Sequence, residues 1–154
     1  MCIRDSSMAL GMAIASKLKK NEFKSFALLS DGECNEGTIW EAAMLASALE
    51  IDNLIAIIDY NKWQATGRSQ EIMALEPFAD KWQSFGWHCQ EINGHNFLQM
   101  EEAFKNINSI TKKPHVIIAH TIKGKGVSFM EDDNNWHYRT PNDEEFKKAI
   151  EELS

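Results

Sequence analysis

The chain has 154 residues, 44% of them hydrophobic and 25% charged, with a net charge of −7 at pH 7. That length fits one domain, large enough to bury a core without disulfide or metal staples. The acidic balance excludes a nucleic-acid binder, which needs a basic face, and no apolar run approaches the roughly 20 residues of a membrane span. A polyphosphate ligand would need a cation, a basic partner or aimed backbone N–H groups. The cysteines Cys2, Cys34 and Cys89 are odd in number, far apart and without a CxxC, a pattern that suits reduced thiols in a cytoplasm. No secretory signal is visible, because the apolar stretch at residues 8–15 is short and reads into a helix.

In chain order, residues 8–20 are predicted helical, ending in lysines that suit the helix dipole. Residues 24–29 hold the apolar run Phe26-Ala27-Leu28-Leu29. Residues 39–49 repeat apolar side chains at helical spacing, and Thr38 with Glu41 offers a capping box at their start. A second apolar run fills residues 54–58, followed by a short helix at 77–85, a strand at 87–92 and a helix at 97–110. A third apolar run occupies 116–119, and a last helix spans 143–153. Strands that are apolar throughout are buried on both faces. Alternated with helices, they predict an α/β fold, a parallel sheet flanked by helices and joined by right-handed crossovers. The order of the strands is not readable from the pattern.

Ligands of open parallel sheets bind in the crevice at the carboxyl ends of the strands. The segments there are Ser30-Asp31-Gly32-Glu33, Asp59-Tyr60-Asn61-Lys62-Trp63, Asn93-Gly94-His95-Asn96 and the run His120 to Gly126. Asp31 and Asn61 are hard oxygen ligands on two strand ends and could share one Mg²⁺, which takes one or two carboxylates and completes its shell with phosphate and water. Gly32 would let the backbone approach a diphosphate and aim an N–H at it. Asp-Gly and Asn after a strand are also ordinary turn chemistry. Read from the residues alone, the chain is an α/β domain with an anionic-ligand crevice, and the ligand stays unnamed. A calcium loop at Asp133, Asn135, His137 and Glu144 fails on Tyr138, which stands where a glycine is required. His88, Cys89 and His95 lack zinc-site spacing, and the Lys-Gly-Lys-Gly stretch lacks that of a Walker loop.

The segment Ser30-Asp31-Gly32-Glu33-Cys34-Asn35-Glu36-Gly37 through Asp59-Tyr60-Asn61-Lys62-Trp63 resembles the thiamine-diphosphate motif, with Asp31 and Asn61 standing 30 positions apart. Glu36-Gly37, Trp40-Glu41-Ala42-Ala43, the run from Lys123 to Glu131 and Asn135-Trp136-His137 are similar to the transketolase version of it. The resemblance covers nearly the whole chain from Met8. It implies a thiamine-diphosphate-binding fold, with Asp31, Asn61 and the Trp63 carbonyl as ligands of Mg²⁺ or another divalent cation. Gly32, Glu33 and His137 join Asp31 and Asn61 as cofactor-binding residues. His137 is also implied near the sugar substrate, and Glu36 and Glu41 as catalytic-interface glutamates linking two active sites; for Glu41 the capping box is the other reading. Cys34 reads as a packing residue.

The sequence departs from the family at Ser30, where the motif has a glycine. Residues 1–6 match nothing in the family, so residues 1–7 are read as a foreign or misassembled leader and 8–154 as a diphosphate-binding domain incomplete at its N-terminus. The family's pyrimidine-binding module, with the glutamate that activates the cofactor's aminopyrimidine, has no counterpart here. The resemblance therefore implies the N-terminal subunit of a split transketolase, forming a dimer or heterotetramer with a C-terminal, pyrimidine-domain subunit. The activity implied is transfer of a two-carbon glycolaldehyde unit from a ketose phosphate to an aldose phosphate, in the cytoplasm and without nucleic acid or membrane. The competing readings are a non-catalytic fragment or interaction subunit of the same fold, a 2-oxoacid dehydrogenase component and a deoxyxylulose phosphate synthase. Glu36-Gly37 and Trp136-His137 disfavour the last two.

Overall fold

The computed structural model describes residues 4–154. Four parallel strands, β1 (Ser25–Ser30), β2 (Leu54–Tyr60), β5 (His88–Asn93) and β6 (His115–His120), form one sheet in the order β1-β2-β6-β5. A two-residue pair, β3 (Trp63–Gln64) and β4 (Gly67–Arg68), makes a small antiparallel hairpin beside it. The helices are α1 (Asp5–Leu18), α2 (Gly37–Ala48), α3 (Ser69–Met73), α4 (Phe78–Ser84), α5 (Phe97–Asn106) and α6 (Asp143–Leu153).

Strand side chains alternate between two cores, as a period of two requires. On one face Ala27, Leu29, Ala56, Ile58, Val116 and Ile118 meet α1, α2 and α4. Ala9, Ala13, Ala42, Ala43 and Ala46 are the inward residues of α1 and α2, and their short side chains let those helices lie close to the sheet. Phe78, Trp82 and Trp87 fill the wider end, with the Trp87 indole N–H donating to the Ala43 carbonyl at 2.9 Å. On the other face α5 sets Ala103 and Ile107 against Ile55 and Ile117.

The α/β expectation holds, with differences that have local causes. The central strands β2 and β6 are buried on both faces, but β1 alternates, leaving Phe26 50% and Leu28 67% exposed. β1 lies at the sheet edge, where α5 reaches it only through Phe104, whose ring centroid is 6.3 Å from that of Phe26. The first helix begins at Asp5 rather than Met8; of residues 1–7, Met1, Cys2 and Ile3 lie outside the described residues, and Ser6 is buried in the first turn. Thr38 is not the cap of α2: the helix starts at Gly37 with Glu36 as its N-cap, placing Thr38 inside the first turn. α5 stops at Asn106 instead of Ile110, where Ser109 bonds back to the Asn106 carbonyl through both its amide and its hydroxyl, a local alternative to helix continuation. α6 matches its expected bounds and carries a capping box from Asn142 and Glu145. No helix among the described residues is long and apolar enough to cross a membrane.

Candidate functional site

The carboxyl ends of β1 and β2 lie side by side, with Ser30 in register with Asp59. The next residues therefore leave the sheet together: Asp31 into a 3-10 turn (Gly32–Asn35), Asn61 toward the hairpin. Ser30, in place of the motif glycine, closes its turn. Its amide and hydroxyl donate to Glu33 Oε2 at 2.7 and 3.2 Å, and the Glu33 amide returns a bond to Ser30 Oγ at 3.3 Å. Glu33, only 5% exposed, thus spends one carboxylate oxygen on its own turn.

Asp31 is fully buried. Oδ1 accepts the Gly32 amide at 2.8 Å and Oδ2 accepts the Ser69 hydroxyl at 2.6 Å. The Gly32 N–H, expected to face a diphosphate, is therefore turned onto the neighbouring carboxylate: Asp31 caps the turn that Gly32 opens. Burial pushes the Asp31 carboxyl above its ordinary value, bonds from Ser69, Gly32 and the Lys62 amide oppose the rise, and the Asp59 charge adds to it. The Lys62 bond also ties Asp31 to the residue next to Asn61. Asn61 Oδ1 accepts the Trp63 amide at 2.9 Å, while Nδ2 donates to Asp59 Oδ2 at 3.3 Å. Between them Lys62 takes a left-handed backbone, φ +69°, which turns the chain sharply enough for that Asn61–Trp63 bond to form.

The loop after β6 closes over this corner. Gly124 and Gly126 have φ of +72° and +97°, and a Cβ at Gly124 would sit 2.4 Å from the Met130 carbonyl oxygen. These glycines let the Lys-Gly-Lys-Gly stretch fold back on itself. Asp132 accepts from the Trp63 indole at 2.8 Å and from Arg68 at 2.7 Å, with the guanidinium stacked 3.7 Å from the Trp63 ring centroid. Asn134 reaches across to the Gln64 and Ala65 carbonyls at 3.0 and 3.2 Å. Loop and hairpin are thereby bound into one wall.

The result is a crevice of about 550 Å³ lined by Ser30, Gly32, Glu33, Glu36, Asn61, Trp63, Lys123 and His137 among others. It unites most of the residues expected from the sequence. Asp31 lies behind its lining rather than in it. Glu41 is on the exposed side of α2, where Met44 and Leu45 are also exposed, and does not line the crevice. The donors expected at the corner, the Asp31 carboxylate, the Asn61 amide oxygen and backbone carbonyls, are all hard oxygens and fit Mg²⁺. A Cβ added at Gly32 would make only ordinary contact with the Gln64 side chain, at 3.5 Å. The fold thus tolerates a side chain there, and glycine leaves the crevice floor open to a ligand. Cys34 is buried with its thiol pushed far up by burial, and burial pushes the half-buried Cys89 up to about 12, which disfavours the reactive thiolate in both.

Sequence reading gave the supporting residues no supporting role. Trp40 donates from its indole N–H to the Cys34 carbonyl at 2.8 Å, tying α2 to the turn that bears Gly32. Ser69, Thr121, Arg68 and Asp132 belong to short or irregular segments with no apolar period to mark them.

A model of the transketolase thiamine diphosphate binding domain matches residues 7–154. The chain belongs to the transketolase family. It is 44% identical over 148 residues to one subunit of the apulose-4-phosphate transketolase of Phocaeicola vulgatus, covering 96% of this chain and 53% of that protein. To the 6-deoxy-6-sulfo-D-fructose transketolase subunit SqwG of a Clostridium species it is 44% identical over 147 residues, covering 96% and 54%. The solved transketolase of Campylobacter jejuni superposes with a TM-score of 0.89 at 29% identity, over 95% of this chain and 24% of that one. The chain thus spans about half the length of the curated transketolase relatives it matches, and its sheet is that of the thiamine-diphosphate-binding α/β fold.

Proposed function

We propose that residues 8–154 carry the metal- and diphosphate-binding half of a two-subunit transketolase. The observation that supports this best is the pairing of the β1 and β2 ends, which sets Asp31 beside the Asn61–Trp63 segment under a crevice walled by Lys123 and His137. Asp31, Asn61 and the Trp63 carbonyl would hold Mg²⁺, shielding a diphosphate from a chain of net charge −7. When bound, thiamine diphosphate supplies the stabilised carbanion that carries a two-carbon glycolaldehyde unit from a ketose phosphate to an aldose phosphate. The chain's own residues bind and orient. Gly32 keeps the floor open, Lys123 places a cation at the wall, and His137 offers a hydrogen-bonding group where phosphate and sugar would meet. Glu36, at the crevice edge, and Glu41, on the outer face of α2, would meet acidic and apolar groups of a neighbouring polypeptide.

Two relatives are named for transketolases of sugars that bear an anionic group, a phosphate in one and a sulfo group in the other, and each is one chain of its enzyme. Those names support a similar donor and a partner chain here. That partner would supply the pyrimidine half of the pocket and its activating glutamate. The test is product formation from a ketose phosphate and an aldose phosphate, with thiamine diphosphate and Mg²⁺, for this chain, the partner and the mixture. Turnover is expected only in the mixture. General acid–base assistance is worth about 10²–10⁴-fold, so full activity from this chain alone would contradict the division of labour.

A further inference from the structure

Two of the candidate ligands, Asp31 and Asn61, are held from behind by side-chain hydrogen bonds. Ser69, at the start of α3, is buried, and its hydroxyl donates to Asp31 Oδ2 across 38 positions of sequence. On the neighbouring strand end, Thr121 Oγ1 donates to Asp59 Oδ1, and Asp59 Oδ2 accepts from Asn61 Nδ2. Thr121 follows β6, so the ends of three adjacent strands contribute to one cluster.

The chemistry of these bonds is directional. An ionised carboxylate is acceptor-only, with about four lone-pair positions. The Ser69 hydroxyl and the Gly32 and Lys62 amides occupy three of those positions on Asp31, which fixes the plane of the group and leaves one for a cation. An amide has a donating and an accepting end, and only the oxygen can ligate a metal. Asp59 accepts from Asn61 Nδ2 while the Trp63 amide donates to Oδ1, so the two together fix which end of Asn61 is the acceptor, and Thr121 holds Asp59 in place for its part. Neither contact is needed to pair the strands, whose ladder already runs from Ser25 to Ser30 against Leu54 to Asp59.

We infer that Ser69, acting through Asp31, and the Thr121–Asp59 pair, acting through Asn61, are positioning residues of a divalent-cation site. This rests on the metal reading above. Partners behind metal ligands typically alter affinity by about 10–100-fold when removed.

The test is calorimetric titration of Mg²⁺ into the chain with thiamine diphosphate present, alongside the melting temperature of the metal-free protein. Ser69→Ala and Thr121→Val should each weaken Mg²⁺ binding by about 10–100-fold, while Ser69→Thr and Thr121→Ser, which keep the hydroxyl, should restore it. A merely structural role would lower the melting temperature and leave the Mg²⁺ affinity of the folded protein unchanged. If Asp31→Ala abolishes binding but Ser69→Ala and Thr121→Val bind like the unsubstituted chain, the positioning proposal is wrong and the metal reading stands. If Asp31→Ala binds like the unsubstituted chain, or that chain shows no Mg²⁺-dependent binding, both are overturned. Should Ser69→Ala fail to fold, the Thr121→Val and Thr121→Ser pair decides.

Discussion

Trp40 should be the residue through which the stability of α2 reaches the turn bearing Gly32. It is half-buried, with ring centroids 5.0 Å from Trp82 and 5.3 Å from Phe85, and its indole N–H is bonded to the Cys34 carbonyl. Trp40→Phe keeps an aromatic ring against those neighbours and removes the donor. Cys34 is 1% exposed, so its carbonyl loses a partner where water does not readily replace it, at a cost of about 1–3 kcal/mol. Trp40→Ala also loses the ring packing and should cost about 3–5 kcal/mol. With a urea slope of about 2 kcal/mol/M, the Phe variant should unfold about 0.5–1.5 M earlier. The loss should be local as well: the Cys34 and Glu36 amides, bonded to the Asp31 and Glu33 carbonyls at 3.0 and 2.9 Å, should exchange hydrogen faster. An unchanged midpoint with unchanged exchange at Cys34 and Glu36 would refute the assignment of that indole bond.

The Arg68 guanidinium, joined by the Trp63 indole, holds the Asp132 carboxyl down at about 2. A depressed folded-state pKa contributes stability present above the ordinary value of 3.8 and lost as pH falls through about 2. Because Asp132 is half exposed, Asp132→Asn should cost about 1 kcal/mol or less at neutral pH. In urea titrations the gap to the unsubstituted chain should shrink as pH falls from 3.8 toward about 2, and a gap that widened on acidification would contradict the ion pair. Gly124→Ala should strain a positive φ by about 1–2 kcal/mol and drive a Cβ into the Met130 carbonyl. Limited proteolysis should then cut residues 121–137 sooner, and unchanged protection would contradict the folded-back loop.

The sheet was legible because its central strands are short apolar runs with helical segments between them. That pattern comes from burial on both faces and survives without knowledge of strand order. β1 misled for the same reason: its run is as apolar as the others, and only its place at the sheet edge, covered on that face by little more than Phe104 of α5, leaves Phe26 and Leu28 exposed. At the site, Asp31 and Asn61 were legible because a ligand crevice belongs at strand ends. The hairpin was not, since β3 and β4 have two residues each and turn through Ala65 and Thr66 rather than an Asn-Gly pair. Ser69 went unseen with it, because its bond to Asp31 depends on that hairpin folding back. Gly32 was read from ligand geometry, whereas its N–H is taken up by Asp31, the nearest acceptor in the chain.

Binding of thiamine diphosphate with and without Mg²⁺, followed calorimetrically in Asp31→Ala and Glu131→Ala, tests the central claim most directly. Glu131 accepts the Gly126 amide and pairs with Lys125 on the loop, so it serves as an acidic control outside the proposed ligand set. The expected result is Mg²⁺-dependent binding that survives Glu131→Ala and is lost in Asp31→Ala. Equal affinity in Asp31→Ala and the unsubstituted chain would contradict the assignment of this crevice to a metal and a diphosphate.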